Sequence, residues 1–146
     1  MSRRDEYPDT ECFKWHNQNP RGRLADDCVL RAVSLATGIS WDDTLDKLVE
    51  IAHKRKDSPV DMYPYLLESL GFEKQKQYMI IETRKKITAG QMCELWNRRG
   101  KNVVIVANAT NHLICIKQDA DGKHKVWDTW DCTDCAVGNW WVKEVE

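Results

Sequence analysis

The run Asn102-Val-Val-Ile-Val-Ala-Asn-Ala-Thr-Asn-His-Leu-Ile-Cys-Ile-Lys-Gln-Asp-Ala-Asp-Gly-Lys-His-Lys-Val-Trp-Asp-Thr-Trp130 carries the main fold signal. Asn102 to Ala107 is β-branched, His112 to Lys117 is a second apolar run, and Lys125 to Trp130 is a third. Asp121-Gly122 separates the last two, and both residues tolerate the positive φ that a tight hairpin turn demands. Val137 to Val145 supplies a last strand, with Gly138 and Asn139 at a bend. The C-terminal half therefore predicts antiparallel sheet.

Upstream the period changes. Val29, Ala32, Val33 and Ala36 fall on one helical face, with Asp26 or Asp27 as N-cap and Gly38 as the stop. Cys28 is then in the first turn. Ser40-Trp41-Asp42-Asp43 resembles a capping box with Asp in place of Glu, ahead of a second helix striped by Leu45, Leu48, Val49 and Ala52. Asp57-Ser58-Pro59 breaks it. Asp61 to Leu70 reads as a third helix closed by Gly71, and Lys76 to Glu82 as a short strand. Thr88 to Arg99 reads as a fourth helix with Met92, Leu95 and Trp96 inward, ended by Gly100. Helices first and strands second predict an α+β domain with segregated layers. Residues 1–24, with Pro8, Pro20 and Gly22 as breakers, read as an irregular leader that wraps it.

Length and composition narrow the function. A chain of 146 residues fits one domain with a substantial core. Its formal charge of −1 speaks against nucleic acid or a membrane surface as partner, since both call for a basic face. The basic runs His53-Lys54-Arg55-Lys56 and Arg84-Lys85-Lys86 are short and read as solvated. No apolar signal segment opens the chain, so a cytoplasmic location is expected and the six cysteines are expected to be reduced. The tryptophans Trp127, Trp130, Trp140 and Trp141 are expected to pack the core or wall a cleft.

Three side chains at element ends carry the chemistry. Cys28, in the first turn of a helix, meets unpaired N–H groups and the positive dipole end, which favour thiolate, although Asp26 and Asp27 oppose it. His112 opens the strand that contains Ile114 and Ile116. It shares their strand face, so its ring is expected to point to the layer where the first helix packs. Asp128 lies among Val126, Trp127 and Trp130, where a carboxylate requires a partner. Binding the His112 ring would satisfy it and fix the tautomer. Asp131 is the competitor, and period-2 alternation places it on the opposite face. A thiol nucleophile, an imidazole that moves protons and a carboxylate that orients it form a triad for acyl transfer. An oxyanion would be held by the Cys28 N–H and by one of three upstream carboxamides, Asn17, Gln18 or Asn19.

The segments Asn17-Gln18-Asn19-Pro20, Asp27-Cys28-Val29-Leu30-Arg31-Ala32, Asn111-His112-Leu113 and Trp127-Asp128-Thr129-Trp130-Asp131 together resemble small papain-like cysteine peptidases, including compact types found in phage and bacterial genomes. The resemblance covers nearly the whole chain. It implies a single papain-like domain over 1–146, with N-terminal helices packed on a C-terminal antiparallel sheet. It also implies the roles of Cys28, His112 and Asp128 in that order, with Gln18 matching the usual oxyanion residue in type.

The expected function is hydrolysis of a peptide, isopeptide or related amide bond in a protein or peptide substrate, with acyl transfer to an amine as a variant. The alternative is a papain-fold module that has lost the chemistry and occupies a host factor. No cofactor is expected. Cys132-Thr-Asp-Cys135 with Cys12 and His16 is a conceivable zinc set, but its spacing is uncommon and two loop thiols are the plainer reading.

Overall fold

Leu113 to Gln118 sits at the centre of the sheet because its apolar residues are buried on both faces. Ile114 and Ile116 join one core cluster, and Leu113 and Cys115 join the other. The computed structural model describes residues 2–145. Along the chain run α1 (Arg3–Glu6), β1 (Phe13–Trp15), α2 (Cys28–Thr37), α3 (Trp41–Arg55), a 3-10 turn at Pro59–Met62, and α4 (Tyr63–Ser69). There follow β2 (Glu73–Gln75), β3 (Met79–Ile80), β4 (Lys85–Lys86), α5 (Ala89–Arg99), β5 (Val103–Ala109), β6 (Leu113–Gln118), β7 (His124–Asp128) and β8 (Val137–Glu144). The six-stranded sheet has the order β1-β7-β6-β5-β8-β2, and β3 pairs with β4 in a separate hairpin. The fold is mixed α+β with a mostly antiparallel sheet; among the described residues β1 alone pairs parallel, on β7.

The helices are not segregated to one side. Helices α2, α3 and α4 pack through Leu30, Val33, Leu48 and Leu67 onto the face that bears Val106, Leu113 and Cys115. Helix α5 covers the opposite face with Met92, Cys93 and Trp96 over Ile105, Ile114 and Val126. The expected order of helices then strands holds only in outline: β1 precedes α2, β2 to β4 precede α5, and α5 fills the face left open by the first three helices.

Local chemistry explains the element ends. Ser40 Oγ accepts the Asp43 N–H at 3.1 Å, so the N-cap of α3 forms, while the shorter Asp43 does not complete the box. Thr88 and Gln91 do complete one at the start of α5. Gly38 and Gly100 close their helices in the left-handed conformation. Gly122 turns the β6–β7 hairpin at φ 79°, and its N–H reaches Asp119 O.

Two expectations are corrected. The strand expected at Lys76 to Glu82 is instead two short pieces, β2 before it and the first arm of a β3–β4 hairpin within it. Arg84, at φ 57°, turns that hairpin back. Residues 1–24 are not irregular throughout: Phe13, which is fully buried, anchors β1 as an edge strand, and Arg3 Nε donates to Thr129 O at 3.0 Å. No helix is long and apolar enough to cross a membrane among the described residues.

Candidate active site

Helix α2 starts at Cys28, and its N-cap Asp27 makes no side-chain capping bond. The Asp27 carboxylate is used elsewhere. It accepts from Asn19 Nδ2 at 2.9 Å, Trp41 Nε1 at 2.9 Å and Arg31 Nε at 2.7 Å. Burial alone would raise its pKa, but these three donors hold it below the usual carboxylate value. Three donors, one of them a guanidinium, thus answer the acidic group next to the thiol, which limits its opposition to thiolate formation.

His112 lies just before β6. Its direction comes from the turn, not from the strand period. Ile114 and Ile116 face α5, so a ring sharing their side would point away from α2. Thr110 at φ 53° and Asn111 at φ 60° are left-handed, and Ala109 N–H bonds His112 O at 2.7 Å. This tight turn reorients residue 112. A β-branched threonine in that conformation is strained, a condition concentrated at functional sites.

The ring bridges two groups. His112 Nε2 is 2.5 Å from Asp128 Oδ2. A hydrogen bond from the His112 side chain is the largest influence on the Cys28 thiol and lowers its pKa against the opposing effect of burial. The Leu113 backbone N–H and the Arg31 charge lower it further. Burial disfavours the charged ring, but the bonds to Asp128 and Cys28 outweigh it and push the His112 pKa up to about 9. A lowered thiol beside a raised imidazole favours a thiolate–imidazolium pair. The Trp130 ring, 5.0 Å from the imidazole centroid to centroid, covers it.

Asp128 is 3 % exposed and ends β7. Burial raises its pKa, but the His112 bond and charge, then Arg31 and the Thr129 N–H, hold it low. Arg31 Nη1 donates to Asp128 Oδ1 at 2.7 Å. Strand β1 secures the backbone there, with His16 N–H on Asp128 O at 2.9 Å. Asp131 is not at the site: its Oδ1 accepts the Thr133 N–H and Oγ1–H in a local turn.

The oxyanion candidates Gln18 and Asn19 are placed differently. Asn19 is occupied on both ends, giving Nδ2 to Asp27 while Oδ1 accepts the Arg21 N–H at 2.9 Å. Gln18 shares a small cavity with Cys28, His16, Arg31 and Asp128, with room for about one water. Its Oε1 pairs with His16 Nε2 at 2.6 Å, leaving the amide nitrogen as the donor.

Arg31 was not singled out by sequence reasoning. Its signal was present: Asp27 and Arg31 are four apart on a helix, a spacing that brings opposite charges together. The reach of the same guanidinium to Asp128, 97 positions away, had no local signature. The conceivable zinc set is dispersed. His16 is held by Gln18 and packs edge-on to Trp127, while Cys12 and Cys135 pack against the α5-side core. Among the described residues, the group of His, Cys and carboxylate atoms close enough to share a metal is His112, Asp128 and Cys132.

No family model matches the chain, and no curated protein or solved structure matches it.

Proposed function

We propose that the protein is a papain-like thiol hydrolase acting on a peptide, isopeptide or related amide bond. The observation that carries this reading is the His112 ring, bonded to the Asp128 carboxylate and close enough to the Cys28 thiol to lower its pKa. The Cys28 thiolate attacks the amide carbon, and the Cys28 backbone N–H with the Gln18 amide donates to the oxyanion. Imidazolium His112 gives its proton to the leaving amine as the C–N bond breaks and a thioester remains. The neutral ring then takes a proton from water, which attacks the thioester and releases acid and thiolate. An amine in place of water would make the same step an acyl transfer.

Asp128 keeps Nε2 occupied, so the other ring nitrogen is the one that serves sulfur. Arg31 holds Asp128 from its far oxygen, and Asp27 holds Arg31 in turn. The chain from Trp41 and Asn19 to Cys28 is thus a continuous set of charge-assisted contacts that fixes the imidazole.

The test is an acyl-mimicking electrophilic probe on wild type, His112→Ala and Cys28→Ala near pH 7. The expected result is attachment at Cys28 that falls roughly tenfold or more without His112, since a free thiol is only a few per cent ionised there. Attachment at Cys28 that ignores the loss of His112 would replace this reading with that of a papain-fold binding module.

A further inference from the structure

Three metal-ligating atoms of different kinds converge at the His112–Asp128 pair. His112 Nε2, Asp128 Oδ2 and Cys132 Sγ form a group in which all ligand atoms lie within 4.8 Å of one another. Nε2 and Oδ2 are 2.5 Å apart, and Sγ is 4.0 Å from the same oxygen. Cys132 is 1 % exposed and is held by a turn in which the Cys135 N–H bonds Cys132 O at 3.0 Å. The acyl-transfer steps give Cys132 no part.

The geometry is close to that of a bound ion. Around tetrahedral zinc, bonds of about 2.0–2.1 Å to N and O and about 2.3 Å to S put N and O roughly 3.3 Å apart and S and O roughly 3.5 Å apart. From the present distances, the N–O gap must open by about 0.8 Å and the S–O gap must close by about 0.5 Å. A mixed N, O and S set suits zinc and does not suit magnesium or calcium, which take oxygen. The second oxygen of Asp128 stays on Arg31, which orients the carboxylate.

We infer that His112, Asp128 and Cys132 form a Zn2+ site whose occupation shuts the triad down. Zinc takes the ring nitrogen that Asp128 otherwise holds, and water completes the coordination. The Zn–N bond replaces the Nε2–H bond and the Zn–S bond replaces the Cys132 S–H bond. Two protons leave to solvent and no electrons move. A ring fixed to the metal no longer shuttles protons between sulfur and the leaving amine. The shut-down rests on the hydrolase reading; the metal site does not.

The experiment uses the full chain, stripped by a chelator and dialysed against known Zn2+, with bound metal measured by elemental analysis. Wild type and Cys28→Ser should each bind about one zinc per chain. Cys132→Ser and His112→Ala should bind at least ~10-fold more weakly, since even outer partners of a metal site are worth that much. Cys12→Ser should match wild type. Cys132→Ser that melts normally without metal yet binds zinc like wild type overturns the site, and Cys132→Ala gives the same reading if the serine variant does not fold. Loss of zinc in Cys28→Ser also overturns it, by placing the metal on the thiol–imidazole pair. In an active preparation, zinc should block wild type far more strongly than Cys132→Ser. Stoichiometric zinc with undiminished turnover overturns the shut-down alone.

Discussion

Arg31→Met removes the cation that two buried carboxylates share. Arg31, Asp27 and Asp128 have side chains only 11 %, 6 % and 3 % exposed, and both contacts are 2.7 Å. Breaking a buried pair by deleting one partner costs about 3–5 kcal/mol, because the remaining charge is left uncompensated. For a chain of this size, each kcal/mol shifts the melting temperature by roughly 2–4 °C, so a fall of about 6–20 °C is expected at pH 7. The pH dependence identifies the cause. Both carboxylates have lowered pKa values, so their contribution is present above the unfolded value near 3.8 and is lost as pH falls through the folded value. In the variant, acid relieves the penalty by protonating them. The gap to wild type should therefore be largest near pH 7 and narrow toward pH 4. Melting curves across that range, with Arg31→Lys as a partial replacement, make the measurement. A loss at pH 7 under about 2 °C, or a gap that does not change with pH, would refute the idea that Arg31 acts by neutralising these carboxylates.

Other outcomes follow from the same geometry. Hydrolysis should give a bell-shaped pH profile, rising as Cys28 ionises and falling as His112 loses its proton around pH 9; a rate still climbing well above that value would contradict the assigned acid. Asp128→Ala should lower turnover strongly with the fold retained, whereas Asp131→Ala, which loses only a turn contact, should change turnover little; equal losses would count against Asp128 as the orienting group. Gln18→Ala should reduce kcat by about 10²–10³ if its amide serves the oxyanion, while Asn19→Ala should mainly lower the melting temperature; the reverse pattern would exchange their roles.

The sequence made parts of this arrangement legible for identifiable reasons. Cys28, His112 and Asp128 each stand at the end of an element, and element ends are visible from Gly38, from the β-branched runs and from Asp121-Gly122. The direction of His112 was not legible. It depends on left-handed Thr110 and Asn111, and threonine gives no warning of that conformation. Strand facing also misled because the sheet is covered on both sides, so an apolar side chain at Ile114 or Val126 does not reveal which helix it meets. Strands β1 and β2 are three residues each and lie at the sheet edges, too short for alternation to show. The part played by Arg31 emerged only when the fold brought α2 and the end of β7 together.

The central claim is that His112 creates a Cys28 thiolate, and the pH dependence of Cys28 alkylation tests it most directly. Wild type and His112→Ala would be treated with limiting iodoacetamide from pH 4 to 10, and modification at Cys28 read by peptide mapping. The account predicts that wild type reacts with a midpoint well below that of an ordinary thiol, and that the variant moves up to about 8.5 or higher. Identical midpoints in the two proteins, or a wild-type midpoint at the ordinary thiol value, would contradict it.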